Sequence, residues 1–250
     1  MRNYIIAVTI GCLLAFLAAC AGPVHERIEH NPTKQITEPW IQPRDSTGNL
    51  GPAITYRAFY DNGQMESEGE YLGQLKNGKW QSWSKSGVLL ESQQYDHGKL
   101  TREAVTFYAN GRKQSVTWYQ SGLPDGPFTQ WFESGQIRQQ GQYAKGLQVG
   151  TWTTWFDNGK RMEEGNFAAG RKDGTWTLWY KSGQKRQEIS FKDGLEDGPC
   201  MFWRPEGLRS MQGHFQSGQK DGTWTSWDEH GLVTREEQFS EGKQAGATGD

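Results

Sequence analysis

The sequence predicts an all-β repeat protein, an elongated antiparallel ribbon or solenoid of β-hairpins in about eight copies of 24 residues, and three observations predict it. A turn glycine recurs every 24 residues, at Gly63, Gly87, Gly111, Gly135, Gly159, Gly183, Gly207 and Gly231, with no slip of register. Eight residues after each comes an aromatic ring: Tyr71, Tyr95, Tyr119, Tyr143, Phe167, Phe191, Phe215 and Phe239. Twelve residues further on lies another, Trp83, Phe107, Trp131, Trp155, Trp179, Trp203 and Trp227, with Phe59 as forerunner. Glycine fills only 32 of 250 positions, so this spacing marks copies of one supersecondary unit.

Each copy has two short segments bounded by glycine turns, the signature of consecutive hairpins. One turn carries Asn-Gly at Asn62, Asn110 and Asn158 or Ser-Gly at Ser86, Ser134 and Ser182. The other is assigned to Asn77-Gly78 and to Asp-Gly at Asp125, Asp173, Asp197 and Asp221, because glycine there supplies the positive φ of a tight hairpin. The strands are then expected over Thr175 to Tyr180 and Lys185 to Phe191. With strands about 4.8 Å apart, eight copies extend roughly 75 to 80 Å.

A further tryptophan position reads Trp80, Ala104, Phe128, Trp152, Trp176, Cys200 and Trp224. Rings at equal positions are expected to stack into ladders that form the core. Gly69, Gly141, Gly165 and Gly213, two places before the strand-one ring, are expected to leave space for a neighbouring tryptophan.

These motifs, seen together in Gly165-Asn-Phe167 and in Gly170-x-x-x-Gly174-x-Trp176, resemble the MORN repeat variant family, often catalogued as YwqK-type antitoxins, over residues 55 to about 246. The resemblance implies an antiparallel β scaffold without catalysis. Members are linked by name or gene context to toxin neutralisation and otherwise act as protein or lipid contact surfaces.

In chain order, residues 1–19 form a signal segment: Arg2 precedes an apolar run, Tyr4 to Ala19, that is short for spanning a membrane. Leu17-Ala18-Ala19-Cys20 resembles the bacterial lipobox, which implies that Cys20 carries lipid and begins the mature chain. Ala21 in place of Asp implies, by the enterobacterial sorting pattern, an outer-membrane location facing the periplasm. Residues 20–54, with Pro23, Pro32, Pro39, Pro43 and Pro52, read as a tether whose Trp40-Ile41 docks on the first repeat to cover an unpaired edge. The repeat domain spans 55–246, and 247–250 form a tail.

Of three cysteines, Cys12 leaves with the signal and Cys20 is acylated, so Cys200 is left alone at a tryptophan position, where it reads as a buried small hydrophobe. The 27 basic residues against 29 acidic ones give a net charge of −2, which argues against nucleic acid as a partner.

No cluster of His, Cys, Asp, Glu or Ser points to catalysis. His97, His214 and His230 fall at three different repeat positions and build no metal site, and no cofactor is expected. Two features stand out as contact sites for a protein partner. Lys113, Ile137, Arg161, Lys185 and Arg209 share one repeat position, flanked by Arg112, Arg138, Lys160 and Arg186, and form either a basic stripe or a solvated face balanced by Glu163, Glu164 and Glu188. Between Leu100 and Phe128 the repeat loses glycine at Arg102 and tryptophan at Ala104 and gains Trp118 at a polar position. Trp118 with Arg112 is the preferred contact site; alternatively Trp118 fills the gap at Ala104.

The expected function is that of a monomeric, non-enzymatic envelope lipoprotein that occludes a protein partner as an immunity or antitoxin factor. The alternative is an envelope scaffold contacting phospholipid, lipopolysaccharide or glycan through the basic stripe.

Overall fold

The computed structural model describes residues 26–29, 51 and 53–245. The signal segment, Cys20, Trp40-Ile41 and the tail lie outside the described residues. All regular structure within them is β-strand, and the chain divides into two compact units between Leu123 and Pro124.

The first unit holds β1 (Glu26–Glu29), β2 (Ile54–Phe59), β3 (Met65–Leu72), β4 (Leu75–Trp83), β5 (Leu89–Asp96), β6 (Lys99–Phe107) and β7 (Lys113–Gln120). From β2 onward each strand pairs antiparallel with the next. β1 comes from the segment read as a tether and pairs parallel with β2, Glu26 opposite Thr55, so it covers the edge assigned to Trp40-Ile41.

The second unit is built from β8 (Leu123–Trp131), β9 (Ile137–Ala144), β10 (Leu147–Trp155), β11 (Arg161–Ala168), β12 (Arg171–Trp179), β13 (Lys185–Lys192), β14 (Leu195–Trp203), β15 (Arg209–Gln216), β16 (Gln219–Trp227), β17 (Val233–Ser240) and β18 (Lys243–Gln244). It too is antiparallel throughout, each strand paired to its successor.

The two hairpin turns differ in kind. At Gly183 the loop is closed by Gly183 N–H donating to the Tyr180 carbonyl at 2.8 Å and Tyr180 N–H donating to the Gln184 carbonyl at 2.8 Å. The other turn is not at Asp173-Gly174 as the sequence suggests, but at Ala169-Gly170. Both residues there adopt positive φ, +49° and +79°, the combination of a two-residue hairpin that follows the strand twist.

β12 therefore begins at Arg171, four residues before the expected Thr175, and Gly174 lies inside the strand. It opens a bulge. Glu164 pairs with Thr177 and Asn166 with Asp173, so Gly174, Thr175 and Trp176 together face Gly165 alone. On its other side β12 stays in step with β13, Gly174 opposite Phe191 and Trp176 opposite Ile189.

The bulge explains the core. It drops the Trp176 ring onto Gly165, where a Cβ would lie 2.2 Å from Trp176 Cδ2; Gly69, Gly141 and Gly213 take Trp80, Trp152 and Trp224 in the same way. Asn166, the residue that flanks the bulge, offers its carbonyl to the indole, and Trp176 Nε1–H donates to it at 3.0 Å. Trp80 and Trp152 repeat this bond to the carbonyls of Glu70 and Gln142 at 3.0 and 3.2 Å.

The tryptophans end nearly sealed: Trp80 is 5% exposed, Trp152 and Trp176 3%, and Trp224 2%. At about 25 cal/mol/Å² over roughly 200 Å², each ring contributes on the order of 5 kcal/mol as an upper bound.

Contact along the row departs from simple stacking of equal positions. Trp176 meets Phe167 edge-on at 4.9 Å and 81°, and Phe191 at 6.4 Å and 74°. Near-parallel stacking of equal positions occurs at Tyr56–Trp80 and Phe128–Trp152, both 5.5 Å apart, while edge-to-face geometry satisfies the ring quadrupoles elsewhere. Lysines close the row from solvent: Lys172 Nζ lies 3.9 Å from the Trp176 centroid and 2.9 Å from Glu163 Oε1. Lys76 and Lys220 each stand 4.2 Å over Trp80 and Trp224. Burial of the Lys76 ammonium pushes its pKa below the ordinary lysine value, against the pull of Glu91.

Candidate functional site

In the first unit the departures from the repeat converge on β6 and β7, where they are cross-strand neighbours: Arg102 opposite Tyr119, Glu103 opposite Trp118, and Ala104 opposite Thr117. Arg102 occupies the bulge position that glycine holds elsewhere and adopts φ +57°, a left-handed conformation that costs an L-residue about 1 kcal/mol. Ala104, in the tryptophan position, is 9% exposed.

Trp118 is 41% exposed. Side chains alternate along a strand, so Trp118 points away from the face shared by Thr117 and Ala104. It does not fill the gap at Ala104. Its equivalents in the second unit are polar: Asn166, for instance, accepts a hydrogen bond from Thr151 Oγ1 at 2.8 Å through its side-chain oxygen.

The two residues expected to share a contact site, Trp118 and Arg112, stand at opposite ends of β7. Arg112 lies in the loop before β7, where its backbone N–H donates to Asn110 Oδ1 at 3.0 Å. Six residues of extended strand put it about 20 Å from Trp118. Lys113 starts β7 opposite Phe107, at the same far end. The neighbour that sequence reasoning missed is Glu103, whose position opposite Trp118 follows only once the register is known.

In the second unit Arg161, Lys185 and Arg209 do form a row. A one-residue bulge near the end of each pairing sets them opposite Trp155, Trp179 and Trp203. The guanidinium of Arg161 lies 6.0 Å from the Trp179 centroid, and Lys185 Nζ 5.5 Å from that of Trp203. Successive members are two strands apart, about 10 Å. These half-buried tryptophans are three residues beyond the buried ones, an odd number, and so face the opposite side of the sheet.

Their charges are largely matched. Arg161 pairs with Glu164 at 3.3 Å and Lys185 with Glu188 at 2.5 Å. Arg209 has Gln212 where the others have glutamate, and among the described residues it forms no ion pair. Ile137 interrupts the row. The balanced face is thus nearer to what the second unit shows than a continuous basic stripe.

Cys200 is 3% exposed, and burial pushes its thiol up to about 11. Ile189, directly opposite it, supplies the bulk that tryptophan supplies elsewhere. His97 sits in a two-residue turn 2.5 Å from Asp96, and His230 in a loop near Glu229, each with a local partner. Among the described residues no three His, Cys, Asp or Glu side chains group to hold a metal ion. Also among them, no helix is long and apolar enough to cross a membrane.

No curated protein matches the chain. Among solved structures, that titled "Crystal Structure of TcdB2-TccC3" is similar at 13% identity over 77% of this chain, with a TM-score of 0.17. The chain spans 15% of that structure's length. The family described as MORN repeat variant matches residues 54–72, 76–97, 124–145, 148–169 and 172–193, each match covering one strand-one ring with its flanking strands. With the 24-residue step and the hairpin rungs those matches cover, the chain belongs to the MORN repeat variant family.

Proposed function

We propose that this protein is a non-enzymatic bacterial envelope lipoprotein, held by lipid on Cys20 at the outer membrane facing the periplasm, that binds a protein partner as an immunity or antitoxin factor. The observation that carries the reading is the convergence at β6–β7. A strained Arg102, a missing tryptophan at Ala104 and an exposed Trp118 fall on paired residues of two strands. Backbone strain persists where its surroundings enforce it and clusters at functional positions. An exposed tryptophan beside a carboxylate, on a row that is otherwise polar, has the character of an interface anchor.

The test is a photo-cross-linking residue placed at position 118 in cells, with position 166 as control on the equivalent row. A discrete protein adduct from 118 alone supports the reading. Equal adducts from both positions, or none from 118 in a correctly anchored chain, contradict it.

A second reading, contact with anionic headgroups or glycan through the second unit, is favoured by the row of Arg161, Lys185 and Arg209 beside half-buried tryptophans. Cosedimentation with anionic vesicles that is lost in Lys185→Glu and Arg209→Glu would favour it over protein occlusion.

A further inference from the structure

Four residues of β6 and β7 form a block on one face of the first unit: Glu103 stands opposite Trp118, and Val105 opposite Val116. The corresponding block of β10 and β11 is polar and bonded within itself. Thr151 Oγ1–H donates to Asn166 Oδ1 at 2.8 Å, and Thr153 Oγ1–H donates to Glu164 Oε2 at 3.0 Å. In β6–β7 two half-buried valines and a tryptophan that is 41% exposed lie against one exposed carboxylate. Among the described residues no side chain bonds to Glu103 and no cation stands over Trp118.

Elsewhere the chain sets a cation against both a tryptophan and a carboxylate. Lys172 Nζ lies 3.9 Å from the Trp176 centroid and 2.9 Å from Glu163 Oε1. Lys185 stands over Trp203 and pairs with Glu188, and Arg161 stands over Trp179 and pairs with Glu164. The ring face and the carboxylate each attract the charge. Trp118 and Glu103, with Cβ atoms about 5 Å apart across the strands, present the same two partners without the third. The block is acidic and apolar, so it complements a basic residue flanked by aliphatic ones.

We propose that Trp118 and Glu103 receive an arginine or lysine side chain of a protein partner, with the aliphatic neighbours of that side chain packing on Val105 and Val116. The inference rests on β6–β7 being the surface that meets the partner.

The test is fluorine NMR of the full chain, purified in detergent and labelled with 5-fluorotryptophan, the resonance of position 118 being the one lost in Trp118→Phe. The probes are the peptide acetyl-Val-Arg-Val-amide and the same peptide with citrulline in place of arginine, which keeps the shape and removes the charge. The resonance is expected to move at least about threefold further per unit concentration with the arginine peptide than with the citrulline peptide. In Glu103→Gln, an exchange at an exposed position, the two peptides are expected to act alike. Equal movement with both peptides in the parent chain, or a difference that persists unchanged in Glu103→Gln, would overturn the proposal. Because the peptides stand in for the partner, failure here together with a discrete adduct from position 118 removes the cation and leaves the protein contact. The reverse pair of results removes the protein partner.

Discussion

Trp176 lies on Gly165 in the β11–β12 rung, whereas in the neighbouring β13–β14 rung the same two positions hold Cys200 and Ile189. Both arrangements are sealed: Trp176 is 3% exposed, Cys200 3% and Ile189 5%. The volume has moved from one strand to the other. The difference teaches that the packed unit is the cross-strand pair, with total volume conserved and either partner able to supply it. In the first unit the Gly69–Trp80 rung is followed by one with Gln93 and Ala104, where neither residue supplies a ring.

The largest expected effect breaks the first arrangement. In Gly165→Ala the new methyl group meets an indole that is rigid and buried, so unfolding in urea should show a loss of about 3 kcal/mol. Gly174→Ala would not sharpen the comparison, because Gly174 is needed for its φ of +72° and has open space around it.

The second arrangement carries a titratable group. Cys200 ordinarily ionises near 9.0 and is pushed up to about 11 in the fold, chiefly by burial. The stability gained by keeping the thiol neutral is present in full below pH 9. It is lost as pH rises through 11, because the unfolded chain gives up its proton first. The difference in unfolding free energy between the parent and Cys200→Ala should therefore shrink by roughly 2 kcal/mol between pH 9 and 11.

A smaller effect, of opposite sign, belongs to the irregular rung of the first unit. Arg102→Gly relieves a left-handed arginine and should raise stability by about 1 kcal/mol in thermal unfolding. The smallest is Trp118→Ala, expected to change stability by less than about 0.5 kcal/mol while weakening any partner cross-link formed through the β6–β7 surface. A large loss of stability would instead make Trp118 a core residue.

The sequence exposes the repeat, the strand pairs and the Gly–Trp contacts because each leaves a fixed spacing on the chain. It hides the second turn for a physical reason. Asp173-Gly174 has the composition of a tight hairpin, yet its positive φ serves a bulge, while the true turn uses Ala169, which has no turn preference and is carried into φ +49° by the pairing on either side. The site was legible in part. Trp118 stands out at a position that is polar in the other copies, but Glu103 as its neighbour, and Arg112 as a residue at the far end of the strand, depend on register. The row Arg161, Lys185 and Arg209 was readable from spacing. Its neutralisation by Glu164 and Glu188 required the bulge that brings residues three apart onto one face.

The claim that two residues on neighbouring strands form one packing unit is tested most directly by a double-mutant cycle in the β13–β14 rung. Ile189→Gly and Cys200→Trp should each destabilise the second unit by about 3 kcal/mol, one by leaving a cavity and the other by overfilling it. Together they recreate the Gly165–Trp176 arrangement. Measured by urea unfolding, the combined chain should fall short of the summed losses by more than about 2 kcal/mol; losses that add within about 0.5 kcal/mol would contradict the account.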